Sequence, residues 1–197
     1  LKLREVKPEI RVLGIDDGHY GPEDDRTLVV GVVMRGGQWI DGVMSTEVTV
    51  DGLDVTDRIA EMVNRSKHRP QLRVILTDGI TFAGFNVLDI KKLHEETGLP
   101  VISVIKRRPD VASVVSALSN LNHTEERRKI VLRAGPVHSV KTRRDEPPVY
   151  FQCAGVEPDI AKLVLRRTAT RHRLPEPIRV AHFIATGVTK GESSSDA

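Results

Sequence analysis

The chain is poor in cysteine and aromatic residues and has no long apolar run, and each scarcity excludes something. One cysteine, Cys153, in 197 residues leaves no internal disulfide and no cysteine-built zinc site. It sits in the apolar, strand-like stretch "VYFQCAGV" and reads as a core residue. Aromatics make up only 4%, while 39% hydrophobic and 29% charged residues are the proportions of a soluble globule. No stretch approaches the ~20 apolar residues of a membrane span. The opening "LKLREVKPEIR" is too charged for a signal peptide, so a cytoplasmic location without a membrane partner is expected.

Net charge is only +3, but the signs are unevenly spread. Acids gather early, at Asp16, Asp17, Glu23, Asp24, Asp25, Asp51, Asp54 and Asp57. Basic clusters follow in "IKRRP" (105–109), "ERRK" (126–129), "KTRRD" (141–145) and "LRRTATRHR" (165–173). Such a division suits a carboxylate pocket that faces an anionic polymer, although a solvated surface of mixed sign gives the same composition.

"IRVLGID" (10–16) is a short β-branched run, the mark of a strand buried on both faces. Residues 27–50 read as two strands broken at Gly36 and Gly37, which makes the first three strands an antiparallel meander. Helical spacing takes over at 53–67, with Val55, Ile59, Met62 and Val63 on one face and either Asp54 or Thr56 as the cap. A strand at 72–78, a helix at 86–98 stopped by Gly98, and a strand at 99–107 follow. Further helices are expected at 110–120 and 123–135, a strand pair near 137–142 and 148–153, and closing helices at about 157–170 and 177–188. One domain, residues 1–193, with a polar tail at 194–197, is the expected organisation. The order is that of an α/β ribonuclease H-like fold: a mixed five-stranded sheet, meander then parallel strands, helices on both faces and a C-terminal helical extension.

In that topology the first and fourth strands lie parallel and adjacent, so Asp16 and Asp78 project from one edge. Two buried carboxylates repel unless a cation lies between them. A third ligand is expected from the first helix, Asp57 or Asp54, and Asp17 either joins them or satisfies loop N–H groups. All-oxygen donors favour Mg²⁺, with Mn²⁺ as the substitute. Lys106 ends the fifth strand beside the same edge, placed to hold a phosphate. Beyond Asp78, "GITFAGFN" (79–86) offers Phe82 and Phe85 for stacking on an extruded base, unless they fill the core. Asn86, Arg107 and Arg108 complete the candidate nucleic-acid contacts.

The motifs "VLGIDDG", "VDGLDVT", "ILTDGITFAGFNVLDI", "LPVISVIKR", "LPEPIRVAHFIA" and the closing "GES" resemble the archaeal endonuclease dU family, related to endonuclease V, over roughly residues 8–193. The resemblance implies a ribonuclease H-like fold and Mg²⁺-dependent phosphodiester cleavage with 5′-phosphate products, in nucleic-acid repair at deaminated bases such as uracil. It matches Asp16, Asp78 with Gly79, and Lys106 to the endonuclease V pattern, with Asp57 or Asp54 in place of a helix-start glutamate. There are three departures. Ile80 follows the Asp-Gly pair where endonuclease V goes on to a metal-binding histidine, "VTVDG" replaces its Tyr-Ile-Pro-Gly wedge, and the tail reads Ser194, Ser195, Asp196 where Gly and Arg are usual.

DNA or RNA is therefore the expected partner, with no obligate protein partner. Two rivals remain: a non-catalytic nucleic-acid-binding protein on the same scaffold, and a hydrolase of nucleotides or small phosphoesters.

Overall fold

The computed structural model describes residues 3, 5–120 and 122–194. The strands are β1 (Arg11–Asp17), β2 (Arg26–Arg35), β3 (Trp39–Thr49), β4 (Val74–Asp78), β5 (Thr81–Phe82), β6 (Asn86–Val87), β7 (Val101–Ile105), β8 (His138–Val140) and β9 (Val149–Ala154). The α-helices are α1 (Val55–Arg65), α2 (Ile90–Thr97), α3 (Val111–Ala117), α4 (Thr124–Arg133), α5 (Pro158–Thr168) and α6 (Glu176–Lys190). The main sheet has the order β3-β2-β1-β4-β7-β9-β8, and β5 and β6 form a separate small hairpin. The meander β1-β2-β3 is antiparallel, while β1, β4 and β7 run parallel.

The sheet therefore has seven strands where five were expected. The pair foreseen near 137–142 and 148–153 does form, and β9 docks antiparallel onto β7. β7 is buried on both faces, so its far edge needed a hydrogen-bonded partner. The tail residues 195–197 lie outside the described residues.

Alternation along the strands divides the core in two. Leu13, Ile15, Ile75 and Val101 point to the face covered by α1 and α2. Val12, Leu76, Ile102 and Val104 point to the face covered by α5 and α6. This parity decides where each carboxylate goes: Asp16 and Asp78 share the α6 face, and Asp17 takes the opposite one. Gly14 lets α6 close onto β1, since a Cβ there would stand 2.2 Å from the Pro177 backbone. That close approach brings the middle of α6 over the end of β1.

Two helix starts differ from the sequence reading. Helix α2 begins at Ile90 because the Asp89 side chain accepts from the Lys91 and Lys92 N–H groups at 3.0 and 2.9 Å, leaving 86–87 to the hairpin. Asp54 occupies the cap position of α1, yet neither its side chain nor that of Thr56 caps the helix. The Val55 N–H is satisfied by Asn86 Oδ1 at 3.1 Å, and Thr56 Oγ1 accepts from the Asp89 N–H at 3.0 Å.

Candidate active site

Strands β1 and β4 pair in register from Val12 with Val74 to Ile15 with Thr77, so the next residues on each, Asp16 and Asp78, leave the sheet side by side. Asp16 is 5% exposed, and its carboxylate is held from two directions. Oδ1 accepts from the Asp17 N–H at 2.9 Å, and Oδ2 lies 2.9 Å from His182 Nδ1 on α6. Burial pushes the Asp16 carboxyl up to about 6 even against the pull of that imidazole. Burial and then repulsion from Asp16 push Asp78 up to about 7, with the positive charges of Lys106 and His182 acting in the other direction. The hydrogen bond to Asp16 holds the His182 pKa above its usual value. Burial is the first cause of both shifts, and repulsion from Asp17 at Asp16 and from Asp16 at Asp78 adds to it.

Asp17 lies across the sheet from this pair and is tied down. Its Oδ2 accepts from the Ala83 N–H at 2.7 Å, and burial still raises its pKa. Ala83 has a φ of 43°, an αL conformation that is costly for a residue with a Cβ. Its N–H on Asp17 and its carbonyl on the Asp51 N–H hold it there, which joins the β5–β6 hairpin to the end of β1. Below the hairpin, the buried Arg127 guanidinium donates to the carbonyls of Asn122, Gly52, Phe85 and Asp51. A cleft of about 580 Å³ opens over the site, lined by Asp16, Asp17, Asp78 and His182 together with Tyr20, Thr186 and Lys190.

Several expected site residues stand elsewhere. Asp57 is turned outward, its side chain 62% exposed, and pairs with Lys92 of α2. Asp54 faces away as well. Burial pushes its pKa up, but bonds from the Asn86 amide and from Thr49 outweigh that and hold it low. The first helix therefore supplies neither carboxylate, because its start is turned toward β3 and β6.

Phe82 is fully buried in the core over α1, so it is not a surface on which a base stacks. Asn86 is also fully buried. Its amide donates to Thr49 O at 2.9 Å and Asp54 Oδ1 at 2.7 Å and accepts from the Val55 N–H, so it is a structural clamp rather than a nucleic-acid contact. Phe85 is half-buried, packed near Leu118 and Val131. Arg107 and Arg108 are exposed beyond β7.

The residue that sequence reading missed is His182, which stands in "RVAHFIA" 166 positions from Asp16. Its only local signal was a polar ring on the inward side of a helix flanked by Ala181 and Ala185, both buried.

The residues suit a hard divalent cation. Two carboxylates of raised pKa share one edge, and Mg²⁺ is commonly held by one or two carboxylates with waters and substrate phosphates as its other ligands. Among the described residues no group of three or more His, Cys, Asp or Glu side chains is assembled as a ready cage. Asp16 and Asp78 are thus the residues that would hold the ion, with the remaining positions left to water and phosphate.

The family model for endonuclease dU matches residues 8–189. A UPF0215 protein of Methanopyrus kandleri is 95% identical over the whole of both chains. A crystal structure of a protein of unknown function from Archaeoglobus fulgidus superposes with a TM-score of 0.83 at 39% identity, covering 91% of this chain and 98% of that one. Ciona intestinalis endonuclease V, in complex with DNA containing an inosine followed by a ribo-adenosine, shares the fold at a TM-score of 0.57 and 16% identity, covering 88% of this chain and 82% of that one.

Proposed function

The chain belongs to the endonuclease dU family, and from that premise we propose that it is a Mg²⁺-dependent endonuclease that cuts nucleic acid at a deaminated base such as uracil and leaves a 5′-phosphate. The observation that carries the reading is the pair Asp16, buried, and Asp78, half-buried, at the ends of adjacent parallel strands, with pKa values pushed up to about 6 and about 7. Asp16 and Asp78 would hold the cation, which when bound would supply Lewis-acid stabilisation of a phosphate and a water of lowered pKa. His182 fixes the orientation of Asp16 and answers part of its charge. Lys106, near enough to act on Asp78, steadies a phosphate oxygen from the other side. Lys190 lines the cleft, and Arg107 and Arg108 are exposed next to Lys106 in the chain; all three suit flanking phosphates. The DNA in the Ciona complex supports nucleic acid as partner.

One observation favours a second reading, a nucleic-acid-binding protein without catalysis: among the described residues no group of three or more His, Cys, Asp or Glu side chains is assembled to hold a cation. A gel decides between them. Labelled single- and double-stranded DNA and RNA oligonucleotides, with uracil, hypoxanthine or no lesion, are incubated with Mg²⁺, Mn²⁺ or EDTA. Metal-dependent cutting that is lost in Asp78→Ala is the expected result. Binding without cutting under every condition would establish the second reading.

A further inference from the structure

Beside Asp78, on the opposite face of the sheet from the carboxylate pair, lies a cavity of about 150 Å³. Its walls are largely apolar, including Ile80, Ile105, Pro109, Val114 and Val131, and it touches the active site through Gly79. Three polar side chains line it, the exposed Thr81 of β5 and, deeper in the sheet, Ser103 of β7 and Gln152 of β9. Ser103 and Gln152 are direct partners in the antiparallel pairing, so they project onto one face as neighbours.

Their hydrogen bonding is asymmetric. The Gln152 amide nitrogen donates to Gly135 O at 2.7 Å, which fixes which way the amide faces and leaves Oε1 without a donor among the described residues. Ser103 is 4% exposed, and its hydroxyl has no protein partner among the described residues. A largely apolar cavity thus holds one fixed acceptor and, next to it, a hydroxyl that either donates or accepts. Both atoms open onto the cavity space rather than being sealed in protein, so a ligand that enters can bond to them.

We propose that Ser103 and Gln152 are the specificity-determining pair of this enzyme, reading the edge of a single-ring base held in this cavity. The inference rests on the nuclease reading above. A cavity of this size takes one six-membered ring. The acceptor Gln152 Oε1 matches a ring N–H, and the Ser103 hydroxyl donates to the carbonyl beside it. Uracil presents that N–H and carbonyl together at N3 and O4. Cytosine presents the reverse, a bare ring nitrogen beside an amino group, and the bare nitrogen would face Oε1 with no proton between them. Methylation of uracil at N3 keeps the ring and the carbonyls but deletes the matched donor.

The test compares single-turnover cutting of oligonucleotides that carry uracil, cytosine or 3-methyluracil at one position, for the unaltered protein, Gln152→Leu, Ser103→Ala and Ser103→Thr. The same oligonucleotides are titrated by fluorescence anisotropy against Asp78→Ala, with and without Gln152→Leu. The expected result is a preference of the unaltered protein for uracil over both other bases. Gln152→Leu narrows that preference by about tenfold, the worth of one hydrogen bond. Ser103→Ala narrows it less, and Ser103→Thr restores it. Anisotropy follows the same order. If Gln152→Leu slows every substrate equally, the residue merely ties β9 to Gly135 and the proposal is overturned while the nuclease reading stands. If the unaltered protein cuts nothing, the nuclease reading falls and takes the proposal with it.

Discussion

Replacing Asp78 by Asn should stabilise the metal-free protein, although it removes a residue central to the site. Burial and Asp16 push the Asp78 carboxyl from 3.8 to about 7, so the folded protein binds its proton more tightly than the unfolded chain does. Between those two values the native state carries the extra proton, and stability falls as pH rises. Above about pH 7 the penalty is complete. A shift of about three pH units corresponds to about 4 kcal/mol. Asn keeps the shape and carries no charge, so at pH 8 in EDTA the variant should melt roughly 10 °C higher, given how stability maps onto melting temperature for a domain of this size. At pH 4, where the wild-type carboxyl is protonated in the fold, the two should melt together. Mg²⁺ should raise the melting temperature of the wild type at pH 8, because it binds the ionised pair, and should move Asp78→Asn much less. Differential scanning calorimetry across pH 4 to 8, with EDTA and with Mg²⁺, measures all of this. A variant that melts at or below the wild type at pH 8 in EDTA would refute the claim that burial and repulsion from Asp16 penalise the ionised Asp78 carboxylate.

Three other substitutions separate the site from its surroundings. The His182 pKa is raised, so the stability it lends through Asp16 is fully present below about pH 6.5 and is lost as pH climbs through the raised value; His182→Ala should therefore lower the melting temperature more at pH 6 than at pH 9. Asn86→Ala removes a buried amide that holds β3, Asp54 and the start of α1, and should cost on the order of 2 to 3 kcal/mol in urea denaturation while cutting by the folded fraction continues. Asp57→Ala breaks only an exposed pair with Lys92 and should change stability by less than about 1 kcal/mol and cutting rates not measurably.

The fold was legible where one residue pattern left one choice. The doubly buried runs ending at Asp16 and Asp78 forced parallel central strands, and paired glycines at 36 and 37 marked the turn of the meander. Adjacency of the two carboxylates followed from that topology alone. What was not legible depended on rotations that sequence spacing does not encode. Whether Asp57 faces the sheet edge or solvent turns on how α1 is rolled, and the Asn86 clamp sets that roll from a hairpin 31 residues away. His182 reached the site only because Gly14 admits α6 at close range, a contact between distant segments. Strands β8 and β9 were foreseen as a pair, but the docking of β9 on β7 needed knowledge that the far edge of β7 was open.

The most direct test of the central claim is calorimetric titration of Mn²⁺ into the wild type, Asp16→Asn, Asp78→Asn and Asp57→Ala at pH 8. Saturable binding that survives in Asp57→Ala and is lost in both Asp16→Asn and Asp78→Asn is the predicted result. Binding of undiminished affinity in Asp16→Asn or Asp78→Asn would contradict it, because the cation would then be held by something other than the two strand-end carboxylates.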